Sequence, residues 1–209
     1  DWFLKRRNVN GVLPMDHYMT VRKKVSDLGR LQKALGTASG PNWKAIGPTA
    51  ITGTGDHNYS GRTIAVNVSP FDSNVVLIGT AGGGIWKSTN GGATWAPKSD
   101  NLGSLSISCF ARHPTDPNIL YAGTGEPSFN GDGISGVGVL KSLDGGDSWS
   151  LSGTFPVGLP RISGISVNKN NPNIVVTSVY FNGSDVALNG IYRSVDAGAN
   201  WTSTSMLGT

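Results

Sequence analysis

An eight-residue pattern closed by tryptophan occurs three times in this chain, and it constrains the fold more than any other feature. It reads Ser88-Thr-Asn90-Gly-Gly92-Ala-Thr-Trp95, then Ser142-Leu-Asp144-Gly-Gly146-Asp-Ser-Trp149, then Ser194-Val-Asp196-Ala-Gly198-Ala-Asn-Trp201. Each residue type has a physical reason to be there. An oxygen at the third position accepts backbone N–H groups across a tight turn. The glycine at the fifth takes a backbone angle that other residues adopt only with strain. The tryptophan buries a large ring between neighbouring sheets. Asn90 keeps the acceptor and loses the charge, which suits a turn device and not a catalytic group.

The closing tryptophans lie 54 and 52 residues apart. From Trp95 to Asn118 is 23 residues and from Trp149 to Asn173 is 24, whereas the stretches from Asn74, Asn118 and Asn173 to the next tryptophan are 21, 31 and 28. One half of each unit is therefore nearly constant in length, and a loop in the other half takes the insertions. Alternation of Ile64, Val66 and Val68 predicts a strand over about 62–68. The run Val75, Val76, Leu77 and Ile78 predicts a buried one over about 75–80, with two more at about 84–89 and 94–98. Pro- and Asn-rich turns at 69–74, 113–118 and 168–173 join the first two strands of each unit. The 30 glycines and a charged fraction of only 14% agree with an all-β chain of many tight turns.

Four-stranded units at this period predict a β-propeller, with blades over about 60–98, 105–152 and 160–205. Residues 42–47, with Trp43, read as a lone strand completing a last blade. Rings close with about four to eight blades, so the expectation is a portion of a larger ring that pairs with a further C-terminal part of the same protein.

The triplicate pattern, preceded each time by Gly-x-(Trp/Leu/Tyr)-(Lys/Arg), resembles the Asp box of bacterial neuraminidase-type repeats. The likeness covers residues 42–209 and is nearest to the xyloglucanase-like and sortilin-like Asp-box proteins. It implies a secreted or cell-surface location, in a bacterium, and a glycan- or protein-binding role. The resemblance makes the box residues structural: Ser88, Asn90, Gly92 and Trp95; Ser142, Asp144, Gly146 and Trp149; Ser194, Asp196, Gly198 and Trp201. In the xyloglucanase type a catalytic Asp follows the Thr that ends the second strand of the first blade. Here that position is Ala81, which cannot transfer a proton. Sialidases need an arginine cluster and carry Arg-Ile-Pro before the first box; neither Arg62-Thr63-Ile64 nor Arg161-Ile162-Ser163 matches in kind and place.

Strand order puts the turn-bearing hairpins on one rim and the insertion loops on the other. The insertion rim gathers Asp56, His57, Tyr59, Arg62, Phe129, Asp132, Phe181 and Asp185 as ligand-binding candidates, with Glu126 as the candidate catalytic carboxylate. Carboxylates beside aromatic rings suit sugars. The partner expected is thus a polysaccharide, a glycoprotein, or a surface or secretion-machinery protein. The alternative is a glycoside hydrolase using Glu126 and a second carboxylate from another blade. No cofactor or metal is expected; Gly131-Asp132-Gly133 reads as a plain turn, with a calcium site as the alternative.

Charge is unevenly placed. Residues 1–36 hold eight Lys/Arg against three Asp/Glu, and residues 37–209 hold nine against ten, so the net +4 belongs to an arm. A nearly neutral body excludes nucleic acid as the partner. Over 1–40 the arm is expected to carry a helix at about 16–35, capped by Asp16, with Met19, Val25, Leu28, Leu31 and Leu35 as its apolar stripe. The single Cys109, in an apolar run, reads as a structural thiol. No stretch reaches the ~20 apolar residues of a membrane-spanning helix.

Overall fold

The computed structural model describes residues 62–127, 133–155, 159–181 and 188–204, together with the backbone of two short paired strands, β1 (Ile51–Thr52) and β2 (Asn58–Tyr59). The arm expected over 1–40, its helix and the strand at 42–47 lie outside the described residues.

The rest forms three four-stranded antiparallel sheets, each a simple meander. The first holds β3 (Thr63–Val68), β4 (Val76–Thr80), β5 (Ile85–Ser88) and β6 (Ala96–Pro97). The second holds β7 (Ile107–Arg112), β8 (Leu120–Thr124), β9 (Val139–Ser142) and β10 (Ser150–Leu151). The third holds β11 (Arg161–Val167), β12 (Val175–Tyr180), β13 (Gly190–Ser194) and β14 (Thr202–Thr204). The expected blades are therefore present, with strands a residue or two shorter at their ends. The register repeats as well. The first strand of each sheet bulges near its start, between Thr63 and Ala65, Ile107 and Cys109, and Ile162 and Gly164. A bulge sharpens twist, and its recurrence gives the three sheets one shape.

The Ser-x-Asp turns are closed by their own side chains. In the second copy the Gly146 N–H donates to Ser142 Oγ at 2.8 Å, and the Ser142 hydroxyl donates to Asp144 Oδ1 at 2.8 Å. The N–H groups of Asp147 and Ser148 donate to that same oxygen at 3.0 and 2.8 Å. The third copy repeats this with Ser194, Asp196 and Asn200, and the first with Ser88, Asn90 and Thr94. Each hairpin also grips the turn beside it. Gly91, Gly145 and Ala197 donate their N–H groups to the carbonyls of Asn74, Asn118 and Asn173 at 2.9, 3.0 and 2.8 Å. The two turns of each sheet thus share one rim, and the insertion loops leave from the other.

The sheets pack in series, β3 beside β7 and β7 beside β11, with β4 and β8 leaning on the next sheet's first strand. Between the first and second sheets lie Leu77, Ile85, Ile107, Leu120, Leu140 and Trp149. Between the second and third lie Tyr121, Val139, Ile162, Val175, Phe181, Tyr192 and Trp201, with Phe155 stacked on Trp201 at 5.5 Å. Trp149 and Trp201 each face the preceding sheet. Trp149 and Trp201 are accordingly 8% and 7% exposed, whereas Trp95 is 36% exposed on a face whose Val66 is 65% exposed. The run 75–78 is only partly a buried run: Leu77 is enclosed, while Val75, Val76 and Ile78 are half-buried.

Close approach of the sheets depends on a missing side chain. A Cβ on Gly123 would lie 2.6 Å from Cys109 Sγ and 2.6 Å from Ile162 Cγ2. Gly123→Ala should therefore lower the unfolding free energy by about 1–3 kcal/mol, the usual cost of overpacking, measured by urea denaturation. A second expectation concerns acid. Burial would raise the Asp144 carboxyl, but the Ser148 hydroxyl and N–H, the Ser142 hydroxyl and the Asp147 N–H outweigh it and hold it at about 2. Asp196 is held at about 2 by the Asn200 side chain, the Ser194 hydroxyl and backbone N–H groups, against slight desolvation. Carboxyls depressed in the folded state stabilise it above the unfolded value of about 3.9 and lose that contribution as pH falls toward the folded value. Stability measured from pH 5 down to pH 2 should fall less steeply in the Asp144→Asn, Asp196→Asn variant, whose turns then carry the amide found at Asn90.

Candidate functional site

On the insertion rim the repeat register aligns Arg62, Ser106 and Arg161, each just ahead of or at the start of its sheet's first strand. Main-chain bonds fix these positions: Ala81 N–H donates to the Arg62 carbonyl at 3.0 Å and Gly125 N–H to the Ser106 carbonyl at 2.9 Å. The register also places Ala81 opposite Gly125, so Glu126 lies one residue beyond the position that Ala81 holds.

Glu126 is the centre of this rim. It is 3% exposed and its carboxylate is ion-paired with Arg62 of the first sheet, whose side chain is 55% exposed. From the third sheet the buried Arg161 donates through Nη1 to the Glu126 carbonyl at 3.3 Å and through Nη2 to the Gly133 carbonyl at 2.7 Å. The segment after the insertion closes over it, with the Glu126 N–H donating to the Ile134 carbonyl at 2.8 Å. Arg161 Nε and Ser106 Oγ are buried with no partner among the described residues. The candidate catalytic carboxylate thus serves as a tie among three sheets, its charge matched by one arginine and its main chain held by another.

The remaining candidates divide. Asp56, His57, Phe129, Asp132 and Asp185 lie outside the described residues. Tyr59 is seen as backbone alone, paired with Ile51. Arg62 stands just ahead of the first sheet, more than half exposed. Phe181 does not belong to the rim surface: it is 1% exposed, faces Tyr192 at 6.5 Å between ring centres, and is core. An aromatic just past a strand end turns inward when apolar side chains already close that end, which a linear reading cannot see. In the sequence Arg161 stands out only within Arg161-Ile162-Ser163; the signal for its place here is its alignment with Arg62 at the head of the first strand. Among the described residues no group of His, Cys, Asp and Glu is placed to hold a metal ion, and no helix is long and apolar enough to cross a membrane. Burial pushes the Cys109 thiol up, with Gly123 and Ser108 as its hydrogen-bond partners, which suits a packed thiol rather than a nucleophile.

Serial four-stranded meanders with turns on one rim and insertions on the other define a β-propeller-type protein. No family model matches the chain. A xyloglucanase from Paenibacillus sp is 26% identical over 178 residues, covering 79% of this chain and 16% of that protein. An ancestral GH74 enzyme of known structure is 22% identical with a TM-score of 0.53, covering 69% of this chain and 18% of that one. YCF48 from Cyanidioschyzon merolae is 20% identical over 68% of this chain and 37% of its own, with a TM-score of 0.47. The chain spans about a sixth of the xyloglucanase it matches, and the likeness to the solved GH74 enzyme is one of fold.

The rim tie makes an asymmetric prediction. Arg62→Ala strips a nearly buried carboxylate of its cation and should cost about 1–3 kcal/mol, whereas Glu126→Gln, which stays neutral, should cost less. In a double-mutant cycle by urea denaturation the combined variant should be more stable than the sum of the two losses implies.

Proposed function

We propose that this chain is the Asp-box portion of a secreted or cell-surface propeller that binds glycan, free or on a protein, through its insertion rim. The observation that carries the binding reading over hydrolysis is the state of Glu126. A general acid must present a proton to a leaving group it can touch. Glu126 instead lies buried, tied to Arg62, one residue beyond Ala81. Support for a glycan as ligand comes from the xyloglucanase relative and from the rim composition, with Tyr59, His57 and Asp56 in one loop and Asp132 in another. The second reading, a glycoside hydrolase, rests on that same relative and needs a partner carboxylate from another blade.

Affinity electrophoresis of the full chain in gels containing xyloglucan, mixed-linkage β-glucan or hydroxyethylcellulose tests the proposal, alongside release of reducing ends. The expected outcome is retardation in at least one gel, no reducing ends, and no change in either with Glu126→Gln. Reducing-end release that disappears in Glu126→Gln would establish the hydrolase instead.

A further inference from the structure

Two loops of the insertion rim share one base and differ in what holds them above it. In the first sheet four residues, 81–84, join β4 to β5, and in the second fourteen, 125–138, join β8 to β9. Each starts from a threonine that closes the base. The Thr80 N–H and hydroxyl both donate to the Gly84 carbonyl at 3.1 Å, and the Thr124 N–H and hydroxyl donate to the Gly138 carbonyl at 3.1 and 2.6 Å. The short loop is tied to the next sheet by main chain, the Gly84 N–H donating to the Leu105 carbonyl at 2.8 Å. The hydroxyl of the following Ser106 holds no part of it.

The long loop is held by a side chain, from the same place in the following sheet. Arg161 takes the position of Ser106, and its guanidinium reaches both limbs of the loop. Nη1 donates to the Glu126 carbonyl at 3.3 Å on the outgoing limb, and Nη2 to the Gly133 carbonyl at 2.7 Å on the returning one. Residues 127–132 lie between those two carbonyls in the chain. The limbs are also bonded to each other, through the Glu126 N–H and the Ile134 carbonyl at 2.8 Å. A Cβ on Gly136 would stand 2.4 Å from the carbonyl oxygens of both Thr124 and Pro160, so the returning limb is wedged against the entry to the third sheet. An arginine is a costly residue to bury here. Its Nε has no partner, and among the described residues it forms no ion pair. A buried charge so placed adds little to stability. What a guanidinium offers is a planar fork of fixed width, which an ammonium lacks. Arginine stands where a long loop must be kept to one shape, and serine where a short loop is closed by main chain alone.

We propose that Arg161 is the positioning residue of the ligand-binding insertion: by holding the Glu126 and Gly133 carbonyls at one separation, it keeps the segment that carries Phe129 and Asp132 in a binding-competent arrangement. The inference rests on the glycan-binding reading of this rim, and it adds a group that sets affinity without touching the ligand. Arg62 has a different part, meeting the Glu126 carboxylate from the first sheet. Apparent affinity falls in proportion to the competent fraction of the protein, so a variant that leaves the gripped arrangement about a tenth populated binds about tenfold more weakly.

Two variants test the grip. Arg161→Lys keeps the charge and loses the fork; Arg161→Ser installs what the second sheet already has at this place. Chymotrypsin cleavage after Phe129 reads the loop without any ligand, and it should be about tenfold faster in both variants than in the wild type. Calorimetric titration with xyloglucan, mixed-linkage β-glucan and hydroxyethylcellulose should show about tenfold weaker binding, in both variants, of whichever polysaccharide the wild type binds. Millimolar ethylguanidinium should restore binding and slow cleavage in Arg161→Ser, and ethylammonium should do neither; general loosening of the fold would not tell the two ions apart. Cleavage at the wild-type rate in both variants overturns the grip. Faster cleavage with unchanged affinity overturns the positioning role and leaves the glycan reading standing. If the wild type binds none of the three polysaccharides, the glycan reading falls and the positioning role falls with it.

Discussion

The structure depends on a serine hydroxyl and a carboxylate, or once an amide, closing each outer hairpin on itself. Ser88, Ser142 and Ser194 each accept a glycine N–H, and Asn90, Asp144 and Asp196 accept the N–H four residues on. A tight turn leaves several main-chain donors without partners, and leaving them so at an interface costs as much as a lost hydrogen bond. Once they are satisfied locally, the turn becomes a rigid body that can be laid against a neighbour. It then binds the adjoining turn through Asn74, Asn118 or Asn173, and Trp149 and Trp201 are aimed at the preceding sheet.

Sheet packing follows from that rigidity. Trp149 and Trp201 reach the apolar layer of the sheet before them, while Gly123 lets strand backbones come near enough for Ile162 to fill the gap. The polar joins are more variable than the apolar ones. Lys141 binds a main-chain carbonyl where Lys87 binds a carboxylate, and Ser152 touches main chain where Lys98 forms an ion pair. The apolar layer is constrained by shape on both sides. The outer polar contacts are constrained on one side alone, and that is where one seam has room to differ from the next.

The insertion rim shows the opposite economy. Arg62 and Arg161, in equivalent places on separate sheets, converge on the single acidic residue between them. A carboxylate and a guanidinium held together near the surface position loops more than they add stability. Their value is that they join three sheets at the end of the molecule from which the longest loops depart.

Fold class and the three four-stranded sheets were legible in the chain because they rest on local chemistry. Turn donors need an acceptor within a few residues, strands alternate every second residue, and both appear at fixed spacing in three copies. Even the structural role of Asp144 and Asp196 could be read from Asn90 standing in their place. What only tertiary structure decided concerns residues whose partners are far away in sequence. Glu126 read as a free rim acid until Arg62, more than sixty residues earlier, proved to hold it. Phe181 read as a rim aromatic until Tyr192 and its neighbours enclosed it. The pairing of Lys98 with Asp147 has no signature in the chain, since a seam exists only once sheets have packed. The repeat states what every unit shares; charge pairing and burial across units decide how each one is joined to the next.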